Sequence, residues 1–384
     1  MVLAIARAQI ARGDQVWVVT LDEETARPFR EAGAVVVRPP LWLHGLSPLD
    51  VVPLVYLWWL CLREKFDLVA THTSKGGFLG RLAAWAARVP CGTGLPACRP
   101  HIVHYVHGFT FHQLSHPLVV RFQVILERLA SHWCDRIISV AEHYRRAMLE
   151  LKIAPADKVC TVINGIDLEM FQGVDHAAAR RRLDYDDREK IIGAVGRVVP
   201  VKGFQYAIEA MPAVVRRHPT ARLVIAGEGS MEAELKQRVR QLDMDEHVTF
   251  LGFRSDTPDL LAACDVFIQP SLREGMSIVL IEGMAAGKAI VATDIWGNQE
   301  MIFDRVNGLL VPPAEPAPMA DAIATLLDDP ELARKLARRA RQDAYAHYTE
   351  AKMVEGNLEA YDRVCGRQPA VATEAELAVG HAER

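Results

Sequence analysis

The chain has 384 residues, half of them hydrophobic and 24% charged, a size and composition that accommodate two separately cored domains. A formal charge of −4 at pH 7, without a dense Lys/Arg run, argues against nucleic acid as the main partner, because binding a phosphate backbone needs a concentrated basic face. The seven cysteines show neither CxxC pairing nor a neighbouring histidine pattern, so they read as reduced thiols filling the core.

Residues 2 to 12 carry a helical pattern, and Gln15 to Thr20 (QVWVVT) reads as a buried strand. Further strands are predicted at Ala34 to Arg38, Asp67 to Thr71, Ile102 to Val106 and Arg136 to Val140, with helices at Lys75 to Ala87 and Pro117 to Cys134. Arg7, Arg12 and Asp14 interrupt the apolar core that a secretory signal requires, which points to the cytoplasm. A doubly wound domain opens on a strand and a glycine-rich turn, whereas this sequence opens inside the helix that follows them. The first strand of the N-terminal domain is therefore expected to be missing, as a start codon assigned too late would produce. The apolar run Val51 to Leu62 spans about 18 Å as a helix, too short to cross a membrane. The surrounding stretch from Leu41 to Leu62 contains Trp42, Trp58 and Trp59 and precedes Arg63 and Lys65. It suits either an element lying on a membrane surface or a helix buried in the first domain.

A second alternation begins at Ile191 (IIGAVG) and continues through Arg222 to Ala226, His247 to Leu251, Val266 to Pro270, Ala289 to Thr293 and Gly308 to Val311. This pattern predicts an N-terminal Rossmann-like domain over 1–163, a hinge with a short helix over 164–190, and a C-terminal Rossmann-like domain over 191–347. A last helix over 348–365 is expected to pack back toward the first domain, and 366–384 to be a disordered tail. Ligands of doubly wound sheets bind beyond the carboxyl ends of the strands, so two such domains are expected to face each other across a substrate cleft.

Two clusters carry chemistry. Arg273-Glu274-Gly275-Met276-Ser277 follows a strand and leads into a helix through Glu282, a start whose free N–H groups favour an anionic ligand, with Gly275 allowing close approach. Glu282, about two turns on, suits ribose hydroxyls. Gly196-Arg197 after IIGAV, followed by Lys202-Gly203, sets two cations where a leaving diphosphate accumulates charge. Alone, Arg197 or Lys202 is more often a solvated side chain, and it is their paired spacing that points to a site; the plainer reading of Glu274 is a loop carboxylate and of Glu282 a charge that complements the helix dipole.

The series Gly196-Arg197-x4-Lys202-Gly203, Gly227-Glu228-Gly229 and Glu274-x7-Glu282 resembles the donor half of the retaining family-4 glycosyltransferases of the GT-B fold. The first half is similar to their exopolysaccharide and capsule members at His72-Thr73-Ser74-Lys75-Gly76-Gly77-Phe78-Leu79-Gly80-Arg81, at His107-Gly108-Phe109 and at Asn164-Gly165-Ile166-Asp167. The resemblance covers residues 1 to 364, with 91–99 as an insertion of no assignable function. It implies that Arg197 and Lys202 grip the donor diphosphate and Glu282 the ribose. Glu274, with Gly275, Met276 and Ser277, would contact the transferred sugar and a phosphate, and Gly196, Gly227 and Gly229 would line the donor site. His107 would hydrogen-bond the donor sugar, while His101, His104 and His112 are expected to be structural. Ser74 and Lys75 would meet a lipid-linked saccharide acceptor at the inner face of the cytoplasmic membrane. The donor is a nucleotide sugar, expected to be UDP-linked, and counts as a substrate, so no cofactor is implied. No metal is expected either, since Asp184-Tyr185-Asp186 and Asp243-Met244-Asp245 read as surface turns. A dehydrogenase is disfavoured because Gly227-Glu228-Gly229 falls short of G-x-G-x-x-G. Two alternatives stay open: a nucleotide-sugar epimerase, and an incomplete or non-catalytic chain that binds donor but needs a partner.

Overall fold

The computed structural model describes residues 1–43, 47–89, 98–108 and 117–367. His112, Phe109, most of the 91–99 insertion and nearly all of the expected tail lie outside them. The chain forms two compact units, one of Met1–Ser139, Tyr144–Val162 and the residues from Val354 onward, the other of Val140–His143 and Ile163–Met353.

In the first unit α1 (Val2–Ala11), β1 (Trp17–Val19), α2 (Glu23–Glu31) and β2 (Val35–Val37) precede α3 (Val51–Glu64) and β3 (Leu68–Thr71). Then come α4 (Ser74–Ala87), β4 (His101–Val106), α5 (Pro117–Ser131), β5 (Arg136–Ser139), α6 (Glu142–Glu150) and β6 (Val159–Thr161). The strands divide into two parallel sheets, β1-β2 and β3-β4-β5-β6, where the sequence suggested a single one. Helix α1 serves both: Ile5 packs with Val103, Tyr105 and Ile138, and Ala6 with Phe29 and Ala34. Strand β6 is a further difference, because its three residues (VCT) are too short to show an alternation.

The other face of the larger sheet is covered by α3, α4 and α5, which contribute Leu62, Ala84, Ala87 and Val124 to one cluster with Ile102 and Ile137. Of the tryptophan segment, Leu60 to Leu62 are buried and Trp58 packs against that cluster, whereas Trp59 is 38% exposed beneath the Arg63 guanidinium. The segment is thus core on one side and open on the other.

The second unit runs through α7 (His176–Arg182), β7 (Lys190–Val195), α8 (Phe204–Arg217), β8 (Ala221–Ala226), α9 (Glu232–Gln241) and β9 (Val248–Gly252). It continues with α10 (Thr257–Ala263), β10 (Val266–Gln269), α11 (Ile278–Ala285), β11 (Ala289–Thr293), α12 (Trp296–Gln299), β12 (Leu309–Val311), α13 (Pro316–Asp328) and α14 (Pro330–His347). All six strands are parallel, in the order β12-β11-β10-β7-β8-β9. Their near-continuous apolar runs, such as IIGAV and VFI, suit strands covered by helices on both faces. The last helix, α15 (Glu350–Cys365), begins in the second unit and ends in the first. There Tyr361 and Ala360 join the core beside Ile5, and Asp362 accepts two 2.9 Å hydrogen bonds from Arg12. Among the described residues no helix is long and apolar enough to cross a membrane.

Candidate active site

Strands β7 and β10 are neighbours, yet the chain builds outward from them in opposite directions, through β8 and β9 on one side and β11 and β12 on the other. Where the winding reverses, the loops leaving the two strands diverge and open a crevice at their carboxyl ends. Those loops are 196–203 and 270–277, so the fold brings together the two clusters that the sequence set more than seventy positions apart.

The first loop depends on close backbone approach. Gly227 has φ +139, and a Cβ there would lie 1.9 Å from the Gly196 carbonyl oxygen; at Gly229 it would lie 2.2 Å from that of Val198. No side chain fits either gap. Gly196 directly follows β7, its N–H donating to the Ala226 carbonyl at 2.9 Å. Arg197 is exposed. Lys202 closes the 3-10 turn Pro200–Lys202, and Gly203 leads into α8.

Lys202 Nζ lies 2.6 Å from Glu274 Oε1, with the two side chains only 16% and 11% exposed. The same oxygen accepts from Ser271 Oγ at 2.7 Å and Gln269 Nε2 at 2.8 Å, both from buried residues. Among the described residues nothing donates to Oε2. Glu274 is therefore fixed through one oxygen and open to an incoming hydroxyl through the other, a preorganised acceptor. Lys202 keeps two of its three N–H donors for an anion.

The helix after this loop starts at Ile278, three residues past Gly275, with which the sequence was expected to open it. Ser277 is the N-cap of α11 in an extended conformation, its Oγ accepting from Leu280 N–H at 3.3 Å, so Gly275 and Met276 belong to the approaching loop. Glu282, on the second turn, is partly buried. Among the described residues no donor meets its carboxylate. Burial without compensation raises its pKa to about 7.

In the first unit the carboxyl ends of β3 and β4 carry a histidine cluster. His72 Nδ1 and His107 Nε2 are 3.0 Å apart, and the His72 ring stacks on Tyr105 at 4.3 Å. Tyr105 in turn shares hydrogen bonds with Asn357 (2.5 Å) and Tyr361 (2.6 Å) of α15. The Thr71 hydroxyl donates to the Val103 carbonyl, so its oxygen accepts the 3.0 Å bond from His104 Nδ1. Burial pushes His72 down to about 3, His104 well below its ordinary value, and the more open His107 down as well. All three are neutral imidazoles at pH 7. His104 is buried and His101 partly so. His72 received no role from the sequence, since 35 positions separate it from His107; the parallel pairing of β3 with β4 makes them neighbours.

Ser74 is exposed at the first turn of α4, directly after Thr73, which is held at φ +64. Lys75 is engaged: its ammonium lies 2.6 Å from Asp50 Oδ1, donates to the Leu43 carbonyl at 2.8 Å and sits over the Trp42 ring. In this arrangement it anchors the segment before α3. Among the described residues no group of three or more His, Cys, Asp or Glu side chains is placed to hold a metal ion.

With this geometry in view, similarity to known proteins is informative. Residues 175–343 match the family described as glycosyl transferases group 1, and residues 1–170 match glycosyltransferase family 4. An Escherichia coli UDP-Gal:alpha-D-GlcNAc-diphosphoundecaprenol alpha-1,3-galactosyltransferase is 32% identical over 73% of this chain and 71% of its own length. A Campylobacter jejuni N,N'-diacetylbacillosaminyl-diphospho-undecaprenol alpha-1,3-N-acetylgalactosaminyltransferase is 28% identical over 94% of each chain. The crystal structure of Anabaena Alr3699/HepE in complex with UDP shares the fold, with a TM-score of 0.79 and 22% identity over 94% of this chain and 95% of that one.

Proposed function

Because the chain belongs to the family-4 glycosyltransferases of the GT-B fold, we propose that it moves a sugar from a UDP-linked donor to a lipid-linked saccharide, with retention of anomeric configuration. The observation that carries this reading is the Lys202–Glu274 pair at the winding reversal, with Glu282 on the helix that follows. A diphosphate gains charge as its bond to the sugar breaks, and Lys202 with Arg197 offers the cations that stabilise it. Glu282 accepts from the ribose hydroxyls, and Glu274 Oε2 from the transferred sugar. His107, a neutral imidazole beside His72, hydrogen-bonds the donor sugar. In a same-face transfer the bond from the anomeric carbon to the diphosphate breaks as the bond to the acceptor oxygen forms. The departing phosphate oxygen takes the acceptor's proton, so no protein base is required. The lipid-linked acceptor is supported by the relatives named for diphosphoundecaprenol substrates. With such an acceptor the proposed reaction runs at the inner face of the cytoplasmic membrane, in surface-polysaccharide assembly.

Calorimetry tests the donor site. UDP should bind the wild type and lose about a hundredfold in affinity in Lys202→Ala, the scale expected on removing one charge-assisted contact. NMR of the product from an α-linked donor should show an α-linkage, with activity surviving chelator. Equal UDP affinity in both proteins rejects the site, a β-linked product rejects retention, and a free epimerised nucleotide sugar would make the chain an epimerase.

A further inference from the structure

Helix α5 is apolar on two opposite sides. Val120 and Val124 pack into the core between the helices and the larger sheet, as a covering helix requires. On the other side Leu118, Phe122, Ile125 and Leu129 fall within an arc of about 60° and are 69%, 60%, 51% and 50% exposed. Single exposed leucines are ordinary, but four large apolar side chains on one line of one helix form a patch that needs an occupant.

The charge beside this line identifies the occupant. Arg121 and Arg128 are exposed along one flank, and Arg128 also reaches the Leu151 carbonyl at the end of the helix. At that end Lys158 Nζ donates to the Ser131 carbonyl, and Lys152 and His132 border the same depression. Glu127, the acidic residue of α5, turns to the buried Arg81 guanidinium, so its charge is spent inward. A chain of net charge −4 thus carries a cationic rim beside an apolar line. Apolar side chains inserting between lipids, with arginine and lysine at headgroup level, form the pattern of an interfacial helix. An antiparallel second copy would instead set the arginine flank against itself.

We propose that α5 is the surface through which this protein lies on an anionic lipid bilayer, its axis in the membrane plane. The inference rests on the lipid-linked acceptor proposed above and names where the enzyme meets the membrane: α5, rather than the tryptophan segment, whose Trp58 is committed to the core.

Flotation of the full-length protein tests this, with vesicles of phosphatidylcholine alone and with one-third phosphatidylglycerol. Wild type should float with the anionic vesicles and detach as salt is raised. Phe122→Ser/Ile125→Ser should lower the partition coefficient at least about tenfold while circular dichroism and UDP binding stay unchanged. Arg121→Glu, which leaves the helix interior untouched, should weaken binding to anionic vesicles alone. Flotation of both variants like wild type, or no flotation of the wild type, overturns the proposal. So does light scattering that shows a wild-type dimer made monomeric by the double variant without any flotation. Transfer to a short-chain prenyl-diphosphate saccharide in detergent separates the two readings: activity there with no flotation of the wild type rejects α5 docking and leaves the proposed function standing.

Discussion

Glu282 is the residue whose state depends most on the ligand. Its carboxyl, raised to about 7 by burial, exchanges its proton near neutrality in the free protein. Ribose hydroxyls donate to the ionised form, so binding pulls that pKa down and releases a proton. UDP affinity should therefore rise with pH up to about 7 and level off above it. Calorimetry in buffers of differing ionisation enthalpy should detect the released proton, and Glu282→Gln should abolish both effects. The free protein shows the complementary behaviour: a carboxyl raised above its unfolded value stabilises fully below about 4.5, and that contribution fades as pH climbs to about 7. The chemical pattern at this scale was readable in the sequence for Arg197, Lys202, Glu274 and Glu282, because all four sit in loops or early helix turns after strands. What could not be read was mutual position. That Lys202 bonds Glu274, that only one carboxylate oxygen is occupied, and that Lys75 is drawn to Asp50 all depend on which strands pair and which loops return.

Among the elements, α4 and α5 are held by an ion pair of unequal burial. Arg81, 1% exposed, donates to the Gly77 carbonyl at 2.9 Å and to Glu127 at 3.2 Å. Removing Glu127 leaves a buried guanidinium without its counter-charge, a defect that typically costs 3–5 kcal/mol, roughly the lower figure here because Glu127 is itself 30% exposed. Glu127→Ala should therefore lower the urea midpoint of the first unit sharply, with Glu127→Gln intermediate. Most elements were legible because buried parallel strands are short β-branched runs and the helices between them keep their period. Strand β6 was not, and neither was the division of the first unit's strands into two sheets, since a sheet's boundary depends on long-range pairing.

On the scale of the whole chain, each unit has its own core, and the residues proposed to hold UDP, Arg197, Lys202 and Glu282, lie in the second. Cutting the chain after Met353 should leave UDP binding in place while making the first unit the preferred target in limited proteolysis, because it loses Tyr361, the Asn357 contact and the Arg12–Asp362 pair. Equal protease resistance of the cut and uncut chains would show that α15 contributes little to that unit. The shared helix also sets an order on synthesis. The first unit leaves the ribosome up to Val162, and its final helix follows only after the 191 residues of Ile163–Met353 have been made. At about 5–20 residues per second that is a wait of roughly 10–40 s. Throughout it the surface destined for Tyr361 stays uncovered in a nascent chain, a window in which a chaperone would find it. Of the two units, the one whose synthesis starts first is the last to be finished.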